Sequence, residues 1–187
     1  MGLSQFFSYI LFILPIENIV VIMFLAMVCW TRISIGFRKT SKIKCKSFPS
    51  LWLNINVMLA LSTFFIIIYY TILSRSSDTM NTMPFIRTIE HIRQQPELIR
   101  EMIMNVFLFF PFGLTAPFAL SSCLKNDEKG RKAVLITIIS ALLLSCSIEF
   151  IQYLYNFGNC ELSDIVMNTL GAAIGSVSYL VSCRLSR

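Results

Sequence analysis

The chain has 187 residues, of which 56% are hydrophobic and only 14% charged, against about 25% charged in an ordinary soluble domain. Its mean hydropathy is +0.71, and no stretch is long and polar enough to make a separate soluble domain. The formal net charge of +6 does not point to nucleic acid, because the basic residues gather in short loops between apolar runs, the pattern of topology signals and of contact with anionic lipid.

These properties predict an all-α protein, a polytopic integral membrane helical bundle of about five transmembrane helices. A β-barrel is excluded because the apolar runs are continuous and do not alternate. The six cysteines are scattered without a CxxC or other metal-ligand spacing. Neither a disulfide framework nor a metal is expected, and no other cofactor.

In chain order, residues 3–30 are poor in charge and broken by Pro15 and Glu17. The first helix is expected from Ile16 to Trp30, since about 20 residues are needed to span and the residues before Pro15 can add a kinked or interfacial piece. A basic loop follows, with Arg32, Arg38, Lys39, Lys42, Lys44 and Lys46 and no acid. It is the strongest orientation signal and predicts a cytoplasmic loop. The second helix is expected over about Leu51 to Leu73, with Trp52 near one end and Tyr69 and Tyr70 near the other, as in aromatic belts.

Residues Ser74 to Glu101 mix both signs of charge. Phe85, Ile86, Ile89 and Ile92 recur there at helical spacing, which predicts a short amphipathic helix on the membrane surface. Pro96 followed by Glu97 reads as a helix start. The third helix, about Met102 to Leu124, contains Asn105, Pro111, Gly113 and Pro117, and its prolines free backbone carbonyls that neighbours must satisfy. A second basic loop, Lys125 to Lys132, precedes a fourth helix at about Ala133 to Tyr155. The loop Asn156 to Ser163 has no basic residue. The fifth helix is expected over about Asp164 to Cys183. The alternation of basic loops predicts an N-terminus outside and a C-terminus in the cytoplasm.

On this topology five polar residues fall at a similar depth in the outer half of the membrane: Asn105, Glu149, Gln152, Asp164 and Asn168. At about 100° per residue, Ser145, Glu149 and Gln152 share one face of the fourth helix. Asp164, Asn168, Gly171, Gly175, Ser178 and Ser182 form a narrow stripe on the fifth. Its glycines suit close helix approach, and its polar end suits a shared hydrophilic pocket. Each feature also has a structural explanation. Asp164 beside Ser163 can cap a helix, and Gln152 and Asn168 can join helices. Gly171 and Gly175, like Pro111 and Gly113, serve packing or a kink. His91, the single histidine, lies in the mixed-charge loop and reads as a solvated surface residue.

These residues resemble the VanZ-like family of bacterial membrane proteins. Asn105, Phe109, Pro111 and Gly113 are similar to its N-x-x-x-F-x-P-x-G signature. Glu149 and Gln152 match E-x-x-Q, and Asp164, Asn168, Gly171 and Gly175 match D-x-x-x-N-x-x-G-x-x-x-G. Met83, Pro84 and Phe85 look like the loop that precedes this core. The resemblance covers about residues 70 to 180. It divides the chain into a first helix and basic loop at 1–50 and a VanZ-like membrane domain at 51–187. Where many members carry an Arg before the Asp element, this chain has Gly158, Asn159 and Cys160, so a basic partner must come from elsewhere, with Arg75, Arg87, Arg93 and Arg100 as candidates. The resemblance implies a bacterial cell membrane location and low-level resistance to teicoplanin-type lipoglycopeptides.

The leading expectation is a non-catalytic membrane protein. Its outward-facing polar pocket, Asn105, Glu149, Gln152, Asp164 and Asn168, binds a lipid-linked cell-wall precursor or a lipoglycopeptide, with membrane lipid as its other partner. The alternative is an intramembrane enzyme acting on a lipid-linked substrate, with Glu149 and Asp164 as an acid/base pair. For that alternative Ser145 and Ser163 lack a histidine at any recognisable spacing. A third expectation is a structural subunit whose fifth-helix stripe faces another protein.

Overall fold

The computed structural model describes residues 16–41, 47–73, 96–121, 124, 130–155 and 161–185. They form five helices: α1 (Ile16–Ser41), α2 (Ser47–Ile68, closing in a π-helical turn, Tyr69–Leu73), α3 (Pro96–Leu120), α4 (Arg131–Tyr155) and α5 (Leu162–Leu185). The described residues contain no strand. Four helical stretches are long and apolar enough to cross a membrane, Leu51–Ile72, Ile99–Leu120, Arg131–Tyr155 and Leu162–Leu185. α1 carries a shorter apolar stretch, Val21–Gly36. The molecule is a helical membrane bundle.

α1 does not stop at Trp30, where the apolar run gives way to basic residues. It continues to Ser41 and takes Arg32, Arg38 and Lys39 with it. Hydropathy falls there but nothing breaks the helix. The polar groups on its course are absorbed locally: the Thr31 hydroxyl donates to the Met27 carbonyl at 2.7 Å and the Ser34 hydroxyl to the Trp30 carbonyl at 2.6 Å, back-bonding that suits a hydroxyl within a helix. The expected start at Pro96 is found. The surface helix expected around Phe85 to Ile92 and the Met83–Phe85 loop lie outside the described residues.

α3 and α5 are the inner pair, parallel to each other. α4 returns antiparallel against α5, and α1 and α2 lie alongside. Glycine sets the closeness of the inner pair. A Cβ added at Gly171 would lie 2.9 Å from the Val106 carbonyl carbon, one at Gly175 2.7 Å from the Leu114 nitrogen, and one at Gly113 2.6 Å from Ala172 Cα. No side chain fits there, so backbone meets backbone, as small residues allow between membrane helices.

α3 is continuous through Pro111 and Pro117. A proline leaves the carbonyl four residues before it without a helical donor. For Pro117 that carbonyl belongs to Gly113, and the Ser176 hydroxyl of α5 approaches it at 3.2 Å while also reaching the Ala172 carbonyl at 2.8 Å. The glycine that admits α5 and the proline that exposes a carbonyl are thus served by one neighbouring serine.

The two ends of the bundle differ in chemistry. At one end aromatic rings meet from helix to helix: Trp30 tilted against Trp52 with centroids 5.1 Å apart, Trp52 edge to face with Phe118 at 6.2 Å, and Phe118 edge to face with Tyr179 at 4.8 Å. Trp30 Nε1 donates to Asn56 Oδ1 there at 3.3 Å. Gly130 turns into α4 with φ of 69°, and its missing side chain makes room for the Tyr179 ring, since a Cβ would lie 2.7 Å from Tyr179 Cε1. The exposed bases Arg32, Arg131, Lys132 and Arg184 are at this end. The other end is polar.

Candidate functional site

The polar end is built by four helices. Three carboxylates, Glu149, Glu161 and Asp164, are all buried there, with Gln152, Asn168, Ser145 and Ser163. Asn105 is half-buried.

The start of α5 explains how carboxylates are tolerated. Its first residue is Leu162, with Glu161 in the flanking position, whose carbonyl accepts from the Asp164 N–H at 3.1 Å. The first turns of a helix present unpaired N–H groups and the positive end of its dipole, which favour negative charge. Glu149, reaching across from α4, accepts the Glu161 N–H on Oε2 at 3.0 Å. The Ser163 hydroxyl donates to Glu161 Oε2 at 3.0 Å. Asp164 lies in the first turn of the helix, so the capping position falls to Glu161 instead. Asp164 turns to α3: Asn105 Nδ2 donates to its Oδ1 at 2.7 Å.

Deeper in the bundle, Asn168 Nδ2 donates to Ser145 Oγ at 2.9 Å and joins α5 to α4. Gln152 Nε2 donates to the Thr71 carbonyl at 2.8 Å. That carbonyl belongs to the π-helical turn ending α2, where the last carbonyls lack helical donors. The Thr71 hydroxyl itself bonds back to the Ile67 carbonyl at 2.7 Å.

All five residues singled out from the sequence, Asn105, Glu149, Gln152, Asp164 and Asn168, therefore lie at this end, but they do not all meet. Asn105 bonds Asp164, whereas Glu149 bonds the Glu161 backbone, Gln152 bonds α2 and Asn168 bonds Ser145. Sequence reasoning left out Glu161 and Thr71. Glu161 had a signal, an acid standing two residues before Ser163 at a helix start. Thr71 had none, because it contributes a backbone carbonyl. Of the candidate basic partners, Arg100 is half-buried, and Arg75, Arg87 and Arg93 lie outside the described residues. Among the described residues no group of three or more His, Cys, Asp or Glu side chains is placed to hold a metal ion.

The VanZ/LLP1 family model matches residues 19–183, from within α1 nearly to the end of α5. A curated relative, Protein VanZ of Enterococcus faecium, is 34% identical over 83 residues. That match spans 44% of this chain and 46% of the relative, less than half of either. No solved structure matches. The family match extends over most of the described bundle and includes every residue of the polar end, and the chain belongs to the VanZ/LLP1 family.

Proposed function

We propose that this protein lowers susceptibility to teicoplanin-type lipoglycopeptides by holding a lipid-anchored ligand at the polar end of the bundle, with that end facing out of the cell. The observation that carries this is the separation of charge along the bundle. Buried carboxylates and amides of α4 and of the start of α5 gather at one end with the half-buried Asn105 of α3, and the exposed bases Arg32, Arg131, Lys132 and Arg184 stand at the other. Basic residues favour the cytoplasmic side, so the polar end faces the outer leaflet, with the N-terminus outside and the C-terminus inside. Ionisable groups within membrane segments are costly and mark binding or transport sites more often than filler. Membership of the VanZ/LLP1 family supports the link to glycopeptides.

The test is growth inhibition by teicoplanin and by vancomycin in a sensitive Gram-positive host. The intact protein is compared with empty vector and with Glu149→Ala and Asp164→Ala at matched membrane expression. The expected result is protection against teicoplanin by the intact protein that both variants lose. Absence of protection from well-expressed intact protein contradicts the proposal.

A further inference from the structure

Orientation in a membrane asks only that Lys and Arg be in excess on one side. It does not ask where on the helices they stand. At the aromatic end three bases come from three helices, Arg32 of α1, Arg131 of α4 and Arg184 of α5, and all three are exposed. None of the three has a hydrogen-bond or ion-pair partner among the described residues. The surrounding sequence adds little negative charge. Segments 32–46, 125–132 and 184–187 hold six, four and two of the chain's 16 Lys and Arg but only two of its 10 acids, Asp127 and Glu128.

The fold gathers these bases around one cluster. Trp30, Ala133, Tyr179 and Cys183 pack together, and each base lies one or two residues from a member of that cluster. The contact between the start of α4 and the end of α5 bounds the distance for two of them. A Cβ on Gly130 would lie 2.9 Å from Cys183 Sγ. Arg131 follows Gly130 and Arg184 follows Cys183, so standard bond lengths place their Cα atoms within about 15 Å of each other. Two extended guanidinium arms can span that gap with a phosphate between them, the anion that the arginine fork matches best alongside carboxylate.

The same three bases stand on lipid-facing stripes. One turn deeper on their own helix faces lie Val28 for Arg32, Leu135 for Arg131 and Val181 for Arg184, all exposed large hydrophobics. A soluble anion makes no use of those residues. A phospholipid places its phosphate at the bases and its acyl chains along the apolar side chains below. Trp30 and Tyr179, next to the bases, are of the kind that marks headgroup depth. An excess of basic charge favours a headgroup with net negative charge over a zwitterionic one.

We propose that the basic end holds an anionic phospholipid, its phosphate taken by Arg131 and Arg184, with Arg32 adding charge and the acyl chains lying along Leu135 and Val181. This site is at the opposite end of the bundle from the ligand-holding end proposed above and does not depend on it.

The experiment uses the full-length protein in detergent. It is offered phosphatidylglycerol and phosphatidylcholine of matched chain length in equal amounts, and the retained lipids are counted by native mass spectrometry. Phosphatidylglycerol is expected to be retained about tenfold over phosphatidylcholine, and each of Arg131→Gln and Arg184→Gln to lower that ratio about fivefold, the effect of one base near a charged headgroup. Arg131→Lys keeps the charge and most of the preference. Helicity by circular dichroism checks that the variants are folded. Inorganic phosphate at millimolar concentration leaves the bound phosphatidylglycerol in place. Equal retention of the two lipids by the wild type overturns the proposal, whether or not the variants fold. A preference that survives the Arg131→Gln, Arg184→Gln double variant overturns it too, since the bases would then be topology signals only. Release of the lipid by inorganic phosphate would assign the bases to soluble anions and contradict the lipid site.

Discussion

Single residues at the polar end do two things at once. Glu149 and Glu161 secure the start of α5, and Asn105 ties the same turn of α5 to α3 through Asp164. Replacing Asn105 by Ala removes a donor to a carboxylate and is expected to cost about 1–2 kcal/mol, since hydrogen bonds to charged groups are worth more than neutral ones but interhelical bonds in membranes are modest. Unfolding in mild detergent measures this. An Asn105→Ala variant as stable as wild type would remove the Asn105–Asp164 bond from the account. The candidate residues were legible because helical phase and depth in the apolar run are properties of sequence. Their pairings were not. Glu149 meets a backbone N–H twelve residues later, and Gln152 meets a carbonyl of α2. Such partners depend on how helices are set side by side, which periodicity does not encode.

At the scale of elements, the contact between α3 and α5 rests on glycine and on one rescued carbonyl. Placing Ala at Gly171 or Gly175 drives a methyl group into the backbone of α3. Each is expected to destabilise by at least about 1–3 kcal/mol, the cost of overpacking, whereas Val177→Ala on the exposed side of the same helix stays close to neutral. Thermal unfolding in detergent compares them, and wild-type stability in Gly171→Ala would contradict the close approach. The Ser176 contact makes a sharper prediction. Ser176→Ala should cost about 1 kcal/mol in the wild-type chain and distinctly less when Pro117 is Ala, because the restored N–H then satisfies Gly113. A double-mutant cycle measures that coupling, and a coupling of zero would mean that the serine does not serve the proline. The glycine stripe and the need to satisfy proline-freed carbonyls were both readable from spacing. The serine that does it was not, since Ser176 is only one of several small residues along α5. The continuation of α1 past Trp30 was missed for a different reason: a fall in hydropathy marks where a helix leaves apolar surroundings, not where its hydrogen bonds end.

For the whole molecule, the arrangement is a bundle with an aromatic, basic end and a polar, acidic end. α3 enters the polar end before α5 begins. Asn105 is the tenth residue of α3 and Asp164 the third of α5, so the first turns of α3 rise about 10 Å beyond the start of α5. Fold class and the order of helices were legible from composition and hydropathy, because lipid forces long apolar helices. The direction in which the polar end faces is the claim on which the functional proposal depends. Cys160, in the segment joining α4 to α5, reports on it directly. In a variant that retains Cys160 and replaces Cys29, Cys45, Cys123, Cys146 and Cys183 by Ala, a membrane-impermeant maleimide is added to intact cells. Labelling of Cys160 without lysis is the predicted result. Labelling only after the membrane is opened would place the polar end in the cytoplasm and contradict the account.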